Sequence, residues 1–277
     1  MKRRRRAGRI GVNLLGVFVF AGMVFPVYWM VSTAFKKPYD ILNFTPEFVP
    51  SPATLSNFEN ALNRPNFWSS VLNSLIVVIA VTALSMVLAF LAALALAKFR
   101  FRGRAAFVVV IIGVQMVPLN ALIIPLYILL SRAHQVDKLS GVVITYLTFV
   151  LPFCVWTLRG FLLGVPRELE EAAMVDGSTR FGAFVRILLP LVAPGLVATS
   201  IFAFIQVWNE FILAYVLLQS QDKQTLPVWL ASFTTLRGTE WGPLMAAATL
   251  TALPVVVFFV IIHRRIAFGL TAGAVRG

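Results

Sequence analysis

The stretch VLNSLIVVIAVTALSMVLAFLAALALA, from Val71 to Ala97, contains no Asp, Glu, Lys or Arg and stops against Lys98. It exceeds the roughly 20 apolar residues needed to cross the hydrocarbon layer of a bilayer. In lipid every backbone N–H and C=O must find a partner within its own segment or in a closed barrel. The run lacks the alternation over about ten residues that marks barrel strands, so it predicts a membrane-spanning helix.

Five more runs of this kind flank it: Ile10 to Phe35, Ala105 to Leu130, Gly141 to Leu163, Leu196 to Leu218 and Trp241 to His263. The composition agrees, because 59% of the 277 residues are hydrophobic and only 13% are charged, against about a quarter charged in soluble domains. The expectation is an all-α membrane protein whose residues 1–277 form one domain of six transmembrane helices. The basic head Met1-Lys-Arg-Arg-Arg-Arg resembles that of a signal peptide. The apolar run behind it is too long for a signal h-region and no small-x-small cleavage site follows, which predicts a retained signal-anchor helix.

Prolines 26, 118, 125, 152 and 254 fall inside these runs and predict kinks. Pro118 and Pro125 share the third run with Gln115 and Asn120. Two readings stand there: a polar path through the membrane, or packing kinks whose polar side chains bond to neighbouring helices.

The net charge of +13 could suggest a nucleic-acid partner, but the basic residues interleave with the spans and form no single face. One side collects Lys2 to Arg6 and Arg9, the Lys98 to Arg104 loop, Arg159, Arg167, Arg180, Arg186, Arg264, Arg265 and Arg276. The other carries only Lys36, Lys37, Arg64, Arg132, Lys138, Lys223 and Arg237. By the positive-inside rule both termini are cytoplasmic. Cys154, inside an apolar run, permits no disulfide within the chain. His134 and His263 fall on opposite sides, so neither metal-ligand spacing nor a metal site is predicted. No G-x-x-x-x-G-K-[ST] phosphate loop is present, and the chain is not expected to hydrolyse ATP.

The polar segment 164–190 reads as two short cytoplasmic helices. Pro166 suits an opening turn, Glu168, Glu170 and Glu171 complement the positive helix end, and Gly177 suits a left-handed cap. Leu169, Ala172 and Ala173 share one face. Ser178 is the expected cap of the second helix, whose stripe Phe181, Phe184, Val185 and Leu188 lies beside Arg180 and Arg186 and which Pro190 is expected to end. So short an element is marginal alone, so the stripe must dock on its own bundle or on another subunit.

Glu171-Ala-Ala-Met-Val-Asp-Gly177, then nine residues, then Ile187-Leu-Leu-Pro190 resembles the E-A-A-x3-G-x9-I-x-L-P signature, the EAA motif of ABC importer permeases. The resemblance implies a type I importer permease fold in a prokaryotic cell membrane, and a coupling helix that seats in a groove of a separate ATPase. Glu171, Ala172, Ala173 and Gly177 would form the seat, with Asp176 and Arg180 at its rim and Ile187 and Pro190 completing the motif. Further stretches resemble the carbohydrate branch, in particular the maltose-type second permease component: Asn73-Ser-Leu-Ile, Lys98-Phe-Arg-Phe-Arg-Gly, Pro125-Leu-Tyr, Trp208-Asn-Glu-Phe211, Thr239-Glu-Trp-Gly and Gly269-Leu-Thr-Ala-Gly-Ala-Val. Arg276 departs from the Lys that is commoner there and keeps the charge.

That likeness implies a homologous second permease as heterodimer partner, two copies of a cytoplasmic ATPase that use ATP and Mg, and an external binding protein that delivers a sugar. It also implies that the outer segment Gln219 to Glu240, through Thr234, Thr235, Leu236, Arg237 and Gly238, probes the binding protein and that the tail reaches the ATPase. No cofactor is expected on this chain.

Glu210 is the only acidic residue well inside a run. Burying it costs roughly 2.5–3.5 kcal/mol on insertion scales, so it needs a partner or a wet cavity. It reads either as a pathway or gate residue beside Gln206, Trp208 and Asn209, or as a hydrogen-bonding group between helices. A direct sugar role for Trp208, Asn209 and Glu210 is discounted, because in the maltose-type family the other permease can supply the contacts. The rival readings are an ion-coupled secondary transporter, an importer of the same type for a non-sugar solute, and a membrane-embedded enzyme. No nucleophile–base constellation supports the last.

Overall fold

The structure, a computed structural model, describes the backbone of residues 2–273 and the side chains of residues 12–261. The side chains of the basic head, of His263, Arg264 and Arg265, of the stretch Gly269 to Val275 and of Arg276 lie outside the described residues.

Among the described residues the fold is helical apart from one two-stranded hairpin. The helices used below are α1 (Lys2–Ala34), α2 (Phe67–Lys98), α3 (Arg104–Gln115), α4 (Ile123–Arg132), α5 (Leu139–Leu163), α6 (Arg167–Val175), α7 (Arg180–Trp208), α8 (Ile212–Leu217) and α9 (Trp241–Gly273). Five single helices among the described residues are long and apolar enough to span, and a sixth candidate is a bent pair, Arg104–Gln115 with Leu119–Arg132.

The third and fifth runs fold differently from the expectation of one helix each, kinked at its prolines in the third. In the third, the chain turns by 92° between the two pieces. Pro118 causes the break: it has no N–H to continue the ladder and sits in extended backbone, φ −65° and ψ 125°. Pro125 lies in the first turn of α4, where an N–H has no intrahelical acceptor anyway, and tolerates the helix.

The fifth run begins far earlier than Leu196, because α7 is continuous from Arg180. Pro190 does not end the loop helix. It follows a π-helical segment, Phe184–Leu188, and stands at the start of the next α-helical stretch, Leu189–Trp208. A wider i→i+5 turn lets the backbone pass a residue that cannot donate. At the other end the helix stops at Trp208 and resumes only at Ile212 as α8.

The described residues divide into two compact units, one running to Phe67 and including Leu230–Leu253, the other comprising Trp68–Trp229 and the chain from Pro254. In the first unit, residues from Val12 to Phe25 of α1 are exposed all round, as expected of a helix whose solvent is lipid. Its C-terminal carbonyls are capped from a distance: buried Asn57 donates to Ala34 O (3.0 Å) and Lys36 O (2.7 Å). Tyr28 and Ser32 both donate to Phe48 O, at 2.6 and 2.8 Å, and hold the segment after α1 along the helix.

In the second unit α5 is the hub, packing against α3, α7 and α8. Gly195 permits the close approach of α7, since a Cβ there would lie 2.4 Å from the Phe161 ring. Two clasps fix the segment after α8. Asn73 donates to Asp222 O (2.9 Å) and Gln224 O (3.1 Å). Asp137, held at φ 58°, accepts from Gln219 N, Ser220 N, Ser220 Oγ (2.6 Å) and Lys223 Nζ (2.7 Å). Burial pushes the Asp137 carboxyl up, but the Lys223 ammonium, the Ser220 hydroxyl and the two backbone N–H groups outweigh it and hold it well below the ordinary carboxylate range.

Candidate functional site

The loop helix α6 is built by local chemistry. Its first turn carries Glu168 and Glu170, which complement the helix dipole. Its end is a Schellman motif: Gly177 at φ +89°, Gly177 N bonded to Met174 O (3.1 Å) and Ser178 N to Ala173 O (2.9 Å). The next helix is capped by Thr179, whose Oγ1 accepts from Gly182 N at 3.0 Å, and not by Ser178. Thr179 has the extended backbone, φ −70° and ψ 161°, that a cap position requires, while Ser178 is spent on the Schellman closure.

Glu171, Ala172, Asp176, Gly177, Arg180 and Pro190 are exposed, and Ala173 and Ile187 are half-buried. The apolar stripe divides. Leu188 is buried and Phe184 packs on Phe90 at 5.9 Å, docking this edge on the chain's own helices. Phe181 (75% exposed), Val175 (87%) and Leu169 point outward. Behind the loop a cavity of about 360 Å³ is lined by Lys98, Glu170, Glu171, Met174, Arg180 and Phe184, among others. Lys98 Nζ bonds Glu170 Oε1 (2.5 Å) and Val165 O (3.3 Å), and Arg167 donates back to Lys98 O (3.1 Å).

A second cavity, of about 550 Å³, opens where α3 and α7 break. Gln115, Gln206, Asn209 and Glu210 meet there, with Phe149, Phe153 and Phe202 supplying apolar walls. Asn120 and Trp208 do not line it. Trp208 is 5% exposed and stacks on Phe204 at 5.7 Å.

Both carboxylate oxygens of Glu210 are engaged. Oε1 accepts from Leu213 N (2.9 Å), and Oε2 accepts from Ala214 N (3.2 Å) and from the Tyr146 hydroxyl. Glu210 therefore caps α8 and ties it to α5, while also lining the cavity. Beside Glu210, the polar lining of the cavity is the amides of Gln115, Gln206 and Asn209 and the Thr148 hydroxyl, with aromatic faces next to them, a surface suited to a neutral polyol. Tyr146, Phe149, Phe153 and Phe202 were not singled out from sequence. Tyr146 carried a signal, as a polar-tipped residue inside an apolar run, and Phe149 and Phe153 lie one helical turn apart.

In the other unit, Thr234–Thr235 pairs antiparallel with Gly238–Thr239, so the five residues from Thr234 to Gly238 form the tip of a hairpin. Leu236 is fully exposed and Arg237 also faces out. Arg64 holds the base, donating to Ser232 O (2.5 Å) and to Glu240 (3.2 Å).

Residues 85–271 match the family model described as the binding-protein-dependent transport system inner membrane component. The chain is 45% identical over 275 residues, 99% of this chain and all of the relative, to the diacetylchitobiose uptake system permease protein DasC of Streptomyces coelicolor. It is 33% identical to the trehalose transport system permease protein SugB of Mycobacterium tuberculosis, over 95% of this chain and 96% of the relative. Its fold is similar to a chain in the crystal structure of a bacterial ABC transporter that imports alginate, with a TM-score of 0.78, 22% identity and coverage of 95% and 98% of the two chains. The spans, the capped loop helix and these matches together show that the chain belongs to the family of binding-protein-dependent transport system inner membrane components.

Proposed function

We propose that this chain is one of two permease subunits of an ATP-driven, binding-protein-dependent importer of short oligosaccharides in a prokaryotic inner membrane, with both termini cytoplasmic. The relatives named for diacetylchitobiose and trehalose uptake support the sugar class. The other components are a homologous permease, two copies of an ATPase that binds ATP and Mg, and an external binding protein that meets the Thr234 to Gly238 hairpin.

One observation carries the reading. The exposed part of the motif, Glu171 to Arg180, and the cavity at Gln206 to Glu210 flank opposite ends of the single helix α7, whose 29 residues span about 43 Å. Movement of the seat formed by Glu171, Ala172, Ala173, Asp176, Gly177 and Arg180 is delivered along that helix to its break at Asn209. The amide and aromatic lining at Gln115, Gln206 and Asn209 favours passage of a polyol. The engagement of both Glu210 oxygens speaks against an ion-coupled carrier, which needs a carboxylate free to exchange its cation.

The test is reconstitution of the four-component complex in proteoliposomes. The expected result is oligosaccharide uptake that requires ATP and the binding protein and is lost on Val175→Asp, with the ATPase no longer co-purifying. Uptake by the permease pair alone, driven by an ion gradient, would overturn it.

A further inference from the structure

Lys36 follows the apolar stretch of α1 by two residues, where a lysine ordinarily extends its head into water. Here it is only 2% exposed, and its ammonium sits 3.9 Å above the centre of the Trp29 ring. Among the described residues no carboxylate lies within 4.0 Å of it, Asp40 and Glu47 acting at longer range. One turn earlier, Thr33 is 5% exposed and its hydroxyl has no hydrogen-bond partner. Leaving a hydroxyl buried and unpaired is unfavourable.

Both side chains line one cavity of about 290 Å³, whose other walls are Trp29, Ile41, Leu42, Trp241 and Met245. The carbonyls at this helix end are already used, since Asn57 takes Ala34 O and Lys36 O. What faces the pocket is a hydroxyl without a hydrogen-bond partner and an ammonium whose contact is the Trp29 ring, both able to donate, in an otherwise apolar lining. That is the complement of an amphiphile with an anionic head. The depth agrees: Ala34 closes the first apolar stretch and Trp241 opens the last, with Trp29 and Trp241 where tryptophans mark the polar–apolar boundary.

We propose that this cavity is a binding site for the phosphodiester headgroup of a membrane phospholipid. Lys36 Nζ and Thr33 Oγ1 donate to the phosphate oxygens, and the two indole rings, Ile41 and Met245 hold the glycerol and the first carbons of the chains. Inorganic phosphate shares the head chemistry and lacks the apolar part.

The experiment follows thermal unfolding of the delipidated complex in detergent during titration with dioleoylphosphatidylglycerol, dioleoylglycerol or inorganic phosphate. The phospholipid is expected to raise the unfolding temperature at concentrations where the other two do not. In Lys36→Gln its half-effective concentration rises about tenfold or more. Thr33→Val shifts it in the same direction, and Lys36→Arg retains the response. If Lys36→Gln does not assemble, the Arg and Val variants still decide. An unshifted titration in Lys36→Gln, or in both Thr33→Val and a Trp241→Ala variant, overturns the site. An equal response to dioleoylglycerol reduces it to an apolar groove, and an equal response to inorganic phosphate removes the lipid.

Discussion

Lys98, the last residue of α2, reaches across to Glu170 in the first turn of α6 at 2.5 Å, with the two side chains 12% and 23% exposed. Arg167 returns a bond to the Lys98 carbonyl, so α2 and the loop helix are joined at three points with Val165. The exposed loop is thereby fastened to a span that does not flank it in sequence. Charge-assisted bonds of this kind contribute about 1.5–3 kcal/mol. Lys98→Met should reduce sugar transported per ATP hydrolysed several-fold in proteoliposomes while leaving the ATPase bound. The exchange Lys98→Glu with Glu170→Lys should recover part of it. Full coupling in Lys98→Met would mean that the bridge transmits nothing.

Glu210 accepts three hydrogen bonds, two of them from the backbone that begins α8. Glu210→Gln keeps an acceptor but loses the charge, and should cost roughly 1–2 kcal/mol of stability; Glu210→Ala should cost more, because the α8 N–H groups then lose their cap. Tyr146→Phe removes one bond only and should lie nearest to wild type. Denaturation midpoints of the three variants in one detergent check the order Tyr146→Phe, Glu210→Gln, Glu210→Ala.

The Asp137 clasp has a signed dependence on pH. Its folded carboxyl is held below the unfolded value of about 3.9, so its contribution is complete above that value and disappears only as pH falls through the depressed folded value. Lys223 is raised, chiefly by its bond to Asp137, so its share persists until pH exceeds the ordinary lysine range. Asp137→Asn should therefore lower the unfolding temperature by an amount that is flat from about pH 5 to pH 9 and narrows only at the acid end. A gap that changes through neutrality would contradict this.

At Gly177 no atom lies within 4 Å of the position a Cβ would take, yet φ is +89°. Gly177→Ala thus meets no clash within the chain and carries backbone strain of about 1–2 kcal/mol. Ala should fray α6 and weaken co-purification of the ATPase measurably, while a bulkier Gly177→Leu abolishes it by obstructing the partner. Equal retention of the ATPase by both would place this turn outside the contact.

How much of this was legible from sequence depended on the range of the interaction. Spans such as Val71 to Ala97 announce themselves by hydropathy, and the Schellman end of α6 by Gly177, because both causes lie within a few residues. Glu210 left two roles open because its side-chain partner, Tyr146, lies 64 residues earlier, and no local pattern connects them. The cap at Thr179 was missed by one residue because Ser178 and Thr179 are chemically alike and only the Schellman closure separates them. Pro190 was misread by applying a sound rule, that proline stops a helix, to a place where a π turn absorbs the missing donor. The lining pair Gln115 and Gln206 was legible as polar in apolar runs, but its meeting depended on the 92° turn at Pro118.

The π segment at Phe184–Leu188 also sets the angular phase of everything after it. Each residue advances an α-helix by about 100°, and a π turn accommodates one residue more than the α-helical count. Excising a single residue from this segment would let it close as ordinary α-helix with the far half of α7 at nearly the same angle, whereas excising one from residues 191–205 would turn Gln206 by more than a quarter of a revolution. These five residues therefore form a stretch in which α7 can lose a residue and still present Gln206 to the cavity.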